Sequence, residues 1–192
     1  MVDVVVVADT HLRSGLGNLP APLVDALGSC DAVLHAGDVV SLAALEELRH
    51  LATMHAVLGN NDHELAGLLP DELEIELGGV RLAMLHDSGA SAGRAARLAR
   101  RYPAAQLVVF GHSHIPLDLE GMDGQRLFNP GSPTQRRAQP HATFGRLRLE
   151  GGRIVAHSIH RLPGPVHRLP GPVQPLPEPV RSPPRTAPPG VE

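Results

Sequence analysis

Five short clusters along the chain carry side chains able to bind metal. They are Asp9-Thr10-His11, Gly37-Asp38, Gly59-Asn60-Asn61-Asp62, His86-Asp87 and Gly111-His112-Ser113-His114. Together they offer carboxylate, imidazole and amide oxygen, and none contains a thiol. Cys30 is the single cysteine, so a structural thiolate-bound zinc is excluded. Mixed oxygen and nitrogen donors suit Mn²⁺, Fe²⁺, Co²⁺, Ni²⁺ or a catalytic Zn²⁺. Asp9, His11, Asp38, Asn60, His86, His112 and His114 are more ligands than one ion uses. Two ions sharing one carboxylate would employ them all. Such pairs sit about 3.5–4 Å apart and activate water for in-line attack on phosphorus.

These residues need elements to bring them together. Val2 to Ala8 is a continuous apolar, β-branched run, the pattern of a strand covered on both faces. Residues 31–36 (DAVLHA) and 54–58 (MHAVL) predict two more strands. Pro22 to Leu27 and 41–52 predict helices between them, the second with Leu42, Leu45, Leu48 and Leu51 on one face. The alternation implies βαβ units and a parallel start. ELEIEL (72–77), Gly78-Gly79 and VRLAMLH (80–86) read as a hairpin. Residues 90–101 predict a basic amphipathic helix with Arg94, Arg97, Arg100 and Arg101 on a solvated face, and 106–110 a further buried strand. From 117 to 160 the pattern turns antiparallel. The expected class is α/β, with one mixed sheet or two packed sheets flanked by helices. Every metal-binding cluster then falls at the carboxyl end of a strand, where α/β sheets bind ligands. Glycine before Asp38, Asn60 and His112 permits tight turns there. His35, inside a strand, is expected in the core or behind the ligands.

In this order, D-x-H, G-D, G-N-x-D, H and G-H-x-H resemble the calcineurin-like metallophosphoesterase superfamily. The short length and Asn129-Pro130-Gly131-Ser132 resemble its small prokaryotic branch, the YfcE-type phosphodiesterases. The resemblance covers about residues 1–160 and implies two packed mixed β-sheets flanked by helices. It also implies that Asp9, His11 and His114 hold one metal, Asp38 bridges, and Asn60, His86 and His112 hold the second. Mn²⁺ is the first expectation for both ions, with Ni²⁺, Co²⁺, Fe²⁺ and Zn²⁺ as alternatives. Catalysis would then rest on Asp38, Asn60 and His112, with a metal-bridging hydroxide attacking a phosphodiester. One departure stands out. Many members place a histidine, taken to protonate the leaving group, where this chain has Asn61. Protonation then falls to water or another residue, or a good leaving group makes it unnecessary. His63 lies one position past the motif, yet adjacent loop side chains point in different directions, which favours a surface role. Asp62 is expected to orient Asn61 or a ligand histidine. Arg13 could contact substrate phosphate, and a solvated loop position is as well supported.

Composition bounds the rest. The chain has 192 residues, 17 Lys+Arg against 20 Asp+Glu, a net charge of −3 and no tryptophan. That balance, with one Tyr and three Phe, argues against stable nucleic-acid or anionic-membrane binding. No apolar run reaches the roughly 18–20 residues that span a bilayer. The single cysteine and the absence of a signal-like start predict a cytoplasmic protein. Self-association is compatible with this composition. Residues 161–192 hold 11 of the 19 prolines and repeat HRLPGPV, which predicts an extended tail with no identified partner, outside a 1–160 domain. The expected partner is a small phosphate ester. A phosphomonoesterase or nucleotide pyrophosphohydrolase is the alternative enzyme. A non-catalytic scaffold of the same fold, as in the retromer subunit, is the alternative of another class.

Overall fold

The computed structural model describes residues 1–163. Ten strands form two five-stranded sheets. The first holds β1 (Val2–Val7), β2 (Ala32–His35), β3 (Thr53–Ala56), β9 (Thr143–Glu150) and β10 (Arg153–Arg161), in the order β10-β9-β1-β2-β3. The second holds β4 (Glu72–Leu77), β5 (Val80–Leu85), β6 (Leu107–Val109), β7 (Leu117–Glu120) and β8 (Arg126–Asn129), in the order β4-β5-β6-β8-β7. Three helices complete the fold: α1 (Ala21–Leu27), α2 (Leu42–Leu51) and α3 (Arg94–Arg101). The fold is the expected α/β arrangement of two packed mixed sheets with helices outside.

Alternation along the strands builds the layers. Val4 and Val6 of β1 face the second sheet and meet Leu82, Met84, Leu107, Val109 and Phe128. Val5 and Val7 face the other way, under α1 and α2, with Leu23, Leu45 and Leu48. Ala83, Leu85, Val108 and Phe110 pack under α3 against Leu98 and Tyr102. The central strands are therefore buried on both faces, which is why they read as unbroken apolar runs. Each such side chain contributes roughly 1.5–3 kcal/mol when fully buried.

β1, β2 and β3 run parallel, as do β5, β6 and β8. The hairpin β4–β5 is antiparallel, as expected. β9 is antiparallel to β1 and to β10, and β7 to β8. The late region is thus antiparallel except at β6–β8.

Four local differences stand out. Leu42 is exposed, and the buried stripe of α2 is Ala44, Leu45 and Leu48. Steps of three residues fall about 60° short of a full turn, so Leu42 and Leu51 lie on opposite sides. α3 starts at Arg94 rather than 90, because Gly93 at its N-cap is left-handed (φ 69°). Its arginines are not simply solvated: Arg97 donates to the carbonyls of Ser88, Ala90 and Ala92, and Arg101 pairs with Glu72. At the other end, β10 runs to Arg161 and Leu162 is buried, its N–H bonded to Ala142 O at 2.8 Å. The Pro-rich segment from 164 onward lies outside the described residues.

Candidate metal centre

The loops after β1, β2, β3, β5 and β6 meet at one rim. The loop after β1 continues as a ladder beside that after β2: Asp9, His11 and Leu12 donate to the carbonyls of Gly37, Asp38 and Val39 at 2.8–2.9 Å. Gly111 N donates to His86 O at 2.9 Å. The approach is close enough to require glycine. A Cβ on Gly37 would lie 2.6 Å from His86 Nδ1, and one on Gly111 would lie 2.8 Å from Ala8 Cβ.

Five of the seven expected ligands have left-handed backbones: Asp9 (φ 54°), His11 (45°), Asp38 (62°), His112 (66°) and His114 (59°). Each costs on the order of 1–3 kcal/mol for a non-glycine residue and persists only where the surroundings hold it. Here the surroundings do. Asp62, buried, accepts from the N–H of Asp38 (2.9 Å), Gly59 (2.8 Å) and Val40 (2.7 Å). Ser132 Oγ donates to Asp9 O at 2.8 Å, and Thr134 Oγ1 to Thr10 O at 2.8 Å. Asn129 Nδ2 donates to Gly111 O at 2.8 Å. The Asn129–Ser132 turn therefore braces the rim, and the Gly131 N–H is taken up by Asn129 Oδ1.

The side chains converge. Asp9 Oδ1 is 3.4 Å from His114 Nε2 and 4.0 Å from His86 Nε2. Asp38 Oδ2 is 3.7 Å from His11 Nε2 and 3.5 Å from His86 Nε2. Asn60 Oδ1 is 3.1 Å from His86 Nε2 and 3.0 Å from His112 Nδ1. Asp9, His11 and His114 form one three-residue cluster, and Asp9, Asp38 and His86 a second. Asn60 and His112 adjoin the second. All seven expected ligands meet, and the carboxylates of Asp9 and Asp38 lie between the two halves.

These residues fit divalent cations on their own chemistry. Asp9 is fully buried, and neither of its carboxylate oxygens accepts a hydrogen bond. Burial, then the Asp38 charge, pushes its carboxyl up to about 8, so ionised Asp9 calls for positive charge nearby. His86 Nδ1 donates to Ala36 O (2.8 Å) and His114 Nδ1 to Gln135 O (2.5 Å). In both rings this leaves the Nε2 lone pair aimed at the cluster. Burial lowers the proton affinity of His11 and His114, which favours the neutral, ligating form. Burial alone would raise Asp38, but hydrogen bonds from the backbone and side chain of Asn61 lower it, as do His86 and His11.

Residues 2–152 match the profile of the calcineurin-like phosphoesterase superfamily domain. The chain belongs to that superfamily. It is 32% identical over 158 residues to a probable metallophosphoesterase of Methanothermobacter thermautotrophicus, covering 80% of this chain and 90% of that protein. Among solved structures, it superposes on an archaeal phosphodiesterase with a TM-score of 0.64 at 22% identity, covering 83% of this chain and 99% of that one. Vps29 from Entamoeba histolytica, solved with Zn²⁺, superposes with a TM-score of 0.67 at 22% identity, covering 83% and 98%. At those identities the structural likeness speaks to fold alone.

In this member of the superfamily the remaining expected residues fall as follows. Asn61 reaches Asp38 through both its N–H and its amide, the latter 2.6 Å from Oδ2. Asp62 orients neither Asn61 nor a histidine; it fixes the backbone around Asp38. His63 is exposed and borders clefts on both sides of the centre. Arg13 is exposed and lines one of those clefts. His35 is wholly buried, with Nε2 2.9 Å from Thr10 Oγ1. One group escaped the sequence reading. Arg137 has a left-handed backbone, and its charge acts on Asp9, His11 and His114. Only its place beside the Asn129–Ser132 turn could have pointed to it.

Proposed function

We propose that the chain is a binuclear metal-dependent phosphodiesterase. Asp9, His11 and His114 would hold one ion and Asn60, His86 and His112 the other, with Asp38 shared; Mn²⁺ is the first candidate, ahead of Ni²⁺, Co²⁺, Fe²⁺ and Zn²⁺. Bound divalent ions supply an acidified water and positive charge for phosphate oxygens. The observation that carries this reading is the buried, unbonded Asp9 carboxylate facing histidine Nε2 atoms whose other nitrogens are already engaged. His112 lies at the more exposed edge of the cluster, where its ring can donate to a non-bridging phosphate oxygen. Asn60 Oδ1 stands 3.1 Å from His86 Nε2 and 3.0 Å from His112 Nδ1, so the three donor atoms converge as ligands of one ion would. Asn61 commits its amide to Asp38 and has no proton to deliver. Esters with acidic leaving groups are therefore favoured over those of basic alcohols, which need protonation more. Lone Cys30 accords with a reducing cytoplasm. Among the described residues no helix is long and apolar enough to cross a membrane.

The test is hydrolysis by protein purified with Mn²⁺, with metal content measured in parallel. Bis(p-nitrophenyl) phosphate should be turned over at least tenfold faster than p-nitrophenyl phosphate. The reverse preference selects the monoesterase. Tight metal binding with no turnover under any of the five metals selects the scaffold, the reading that Asn61 in place of an acid favours.

A further inference from the structure

Two clefts open on either side of the metal centre, and they differ in charge. One, of about 340 Å³, is lined by His11, Arg13, Ser41, Asn61, His63 and Gln135. The other, of about 370 Å³, carries Asp71, Glu72 and Asp87 beside Asn60 and His86. His11 and Asn61 belong to the first cleft and to the centre, and Asn60 and His86 to the second and the centre. Both clefts thus run into the same cluster.

The cations on the first side are uncommitted. Arg13 is exposed and has no ion-pair partner among the described residues. Arg137, outside the cleft lining, is likewise exposed and unpartnered among them, two residues beyond Gln135, which lines the cleft. Its loop is fixed against the centre, since Gln135 O takes the His114 Nδ1 proton and Ser132 and Thr134 bond the Asp9 and Thr10 carbonyls. The one carboxylate on this side, Glu64, is turned toward α2 and accepts from Leu42 N at 3.2 Å. On the second side Glu72 is paired with Arg101 and Tyr102. Asp71 is exposed without a partner among the described residues, and Asp87 accepts from Gly89 N with one oxygen while the other stands 3.9 Å from His112 Nε2. Guanidinium charge on the first side, offset in part by Glu64, faces the negative charge of Asp71 and Asp87 across the centre.

We propose that the cleft lined by Arg13, with Arg137 on the loop just beyond Gln135, binds a second phosphate group of the substrate, carried on the diester arm that lies away from Asp71 and Asp87. This rests on the phosphodiesterase reading. The substrate class is a phosphodiester of which one alcohol is itself phosphorylated, as a nucleoside phosphate is, while the other is uncharged or cationic. Guanidinium groups match phosphate oxygens with paired hydrogen bonds. The opposite orientation would set a dianion against two carboxylates.

The test uses the full chain, loaded with metal, and two substrates that release the same nitrophenolate. They are thymidine 5′-(p-nitrophenyl phosphate) and its 3′-phosphorylated counterpart. The 3′-phosphate should raise kcat/KM roughly tenfold, the size of one charge-assisted hydrogen bond. Arg13→Gln and Arg137→Gln should each cut that preference severalfold, and the double variant should abolish it. Calorimetric binding of thymidine 3′,5′-bisphosphate should weaken in the same order. Equal rates for the two substrates, or a preference indifferent to both arginines, would overturn the inference and leave the phosphodiesterase reading standing. If neither substrate nor bis(p-nitrophenyl) phosphate is cleaved, the reading of activity fails. Arginine-dependent bisphosphate binding would then still uphold the cleft, and arginine-independent or absent binding would overturn it.

Discussion

The parallel centre of the molecule and its antiparallel flanks are built from the same apolar residues, yet only the centre carries chemistry. β1, β2, β3, β5 and β6 end at one rim, and each hands a polar cluster to it. β4, β7, β9 and β10 pair antiparallel and contribute none of the seven ligands. Parallel pairing sends successive strand ends the same way; antiparallel pairing alternates them. A shared rim is therefore a product of topology. The two regions also differ in backbone. The rim stores left-handed turns at Asp9, His11, Asp38, His112 and His114, while β9 and β10 are regular apart from one irregularity between Ile154 and Ala156. Strain is concentrated where side chains must be aimed.

The comparison breaks most severely at Asp38. Asp38→Asn should cut diester turnover by roughly 10³-fold or more and lower bound metal below two per chain, measured by elemental analysis. It halves the negative charge between the two halves of the cluster and leaves the fold largely intact. Full metal content at a normal rate would remove Asp38 from the shared position.

Asp62→Ala should cost about 3 kcal/mol in denaturant unfolding and weaken metal binding roughly 10–100-fold. Three N–H groups around Asp38 lose their acceptor, each worth about 1–3 kcal/mol if left unpaired, with water recovering part. A variant of normal stability would mean that the left-handed turns hold themselves.

His35 sharpens the contrast through pH. Burial holds its imidazole down to about 3, against 6.5 when exposed. Below pH 6.5 the unfolded chain takes up a proton that the folded chain refuses. Stability is therefore fully present above pH 6.5 and falls as pH drops toward 3, by up to about 1.4 kcal/mol per pH unit. His35→Gln should lack that component. The difference between the two stability curves should be flat above pH 6.5 and shrink below it.

What could be read in advance follows the same division. The ligands were legible because each sits at the end of an apolar strand run, and Asp9/His11 and His112/His114 come as pairs two residues apart. The central strands were legible because burial on both faces leaves an apolar run. The grip of Asp62 on Val40 and the nearness of Arg137 to Asp9 were not, because they depend on how loops distant in sequence fold against one another. Leu42 misled because a threefold spacing imitates a helical face over one turn and drifts off it over three.

The smallest effect belongs at the far end of the antiparallel flank. Leu162 is 2% exposed and joins the core under α1 and α2, and His160 stacks on Phe144 with ring centroids 5.1 Å apart. Leu162→Ala should therefore cost about 2–3 kcal/mol, the lower end for a buried leucine, since it lies just past the last strand. Deleting residues 165–192 should shift Tm by no more than about 2 °C and leave metal content unchanged. Those residues are rich in proline and poor in large apolar side chains, so they have little surface to bury against the cost of ordering. The two changes lie within a few residues of each other and are predicted to differ severalfold in effect. A fall in Tm on deletion as large as that of Leu162→Ala would place part of the Pro-rich segment on the domain and move the boundary of the folded unit beyond Pro163.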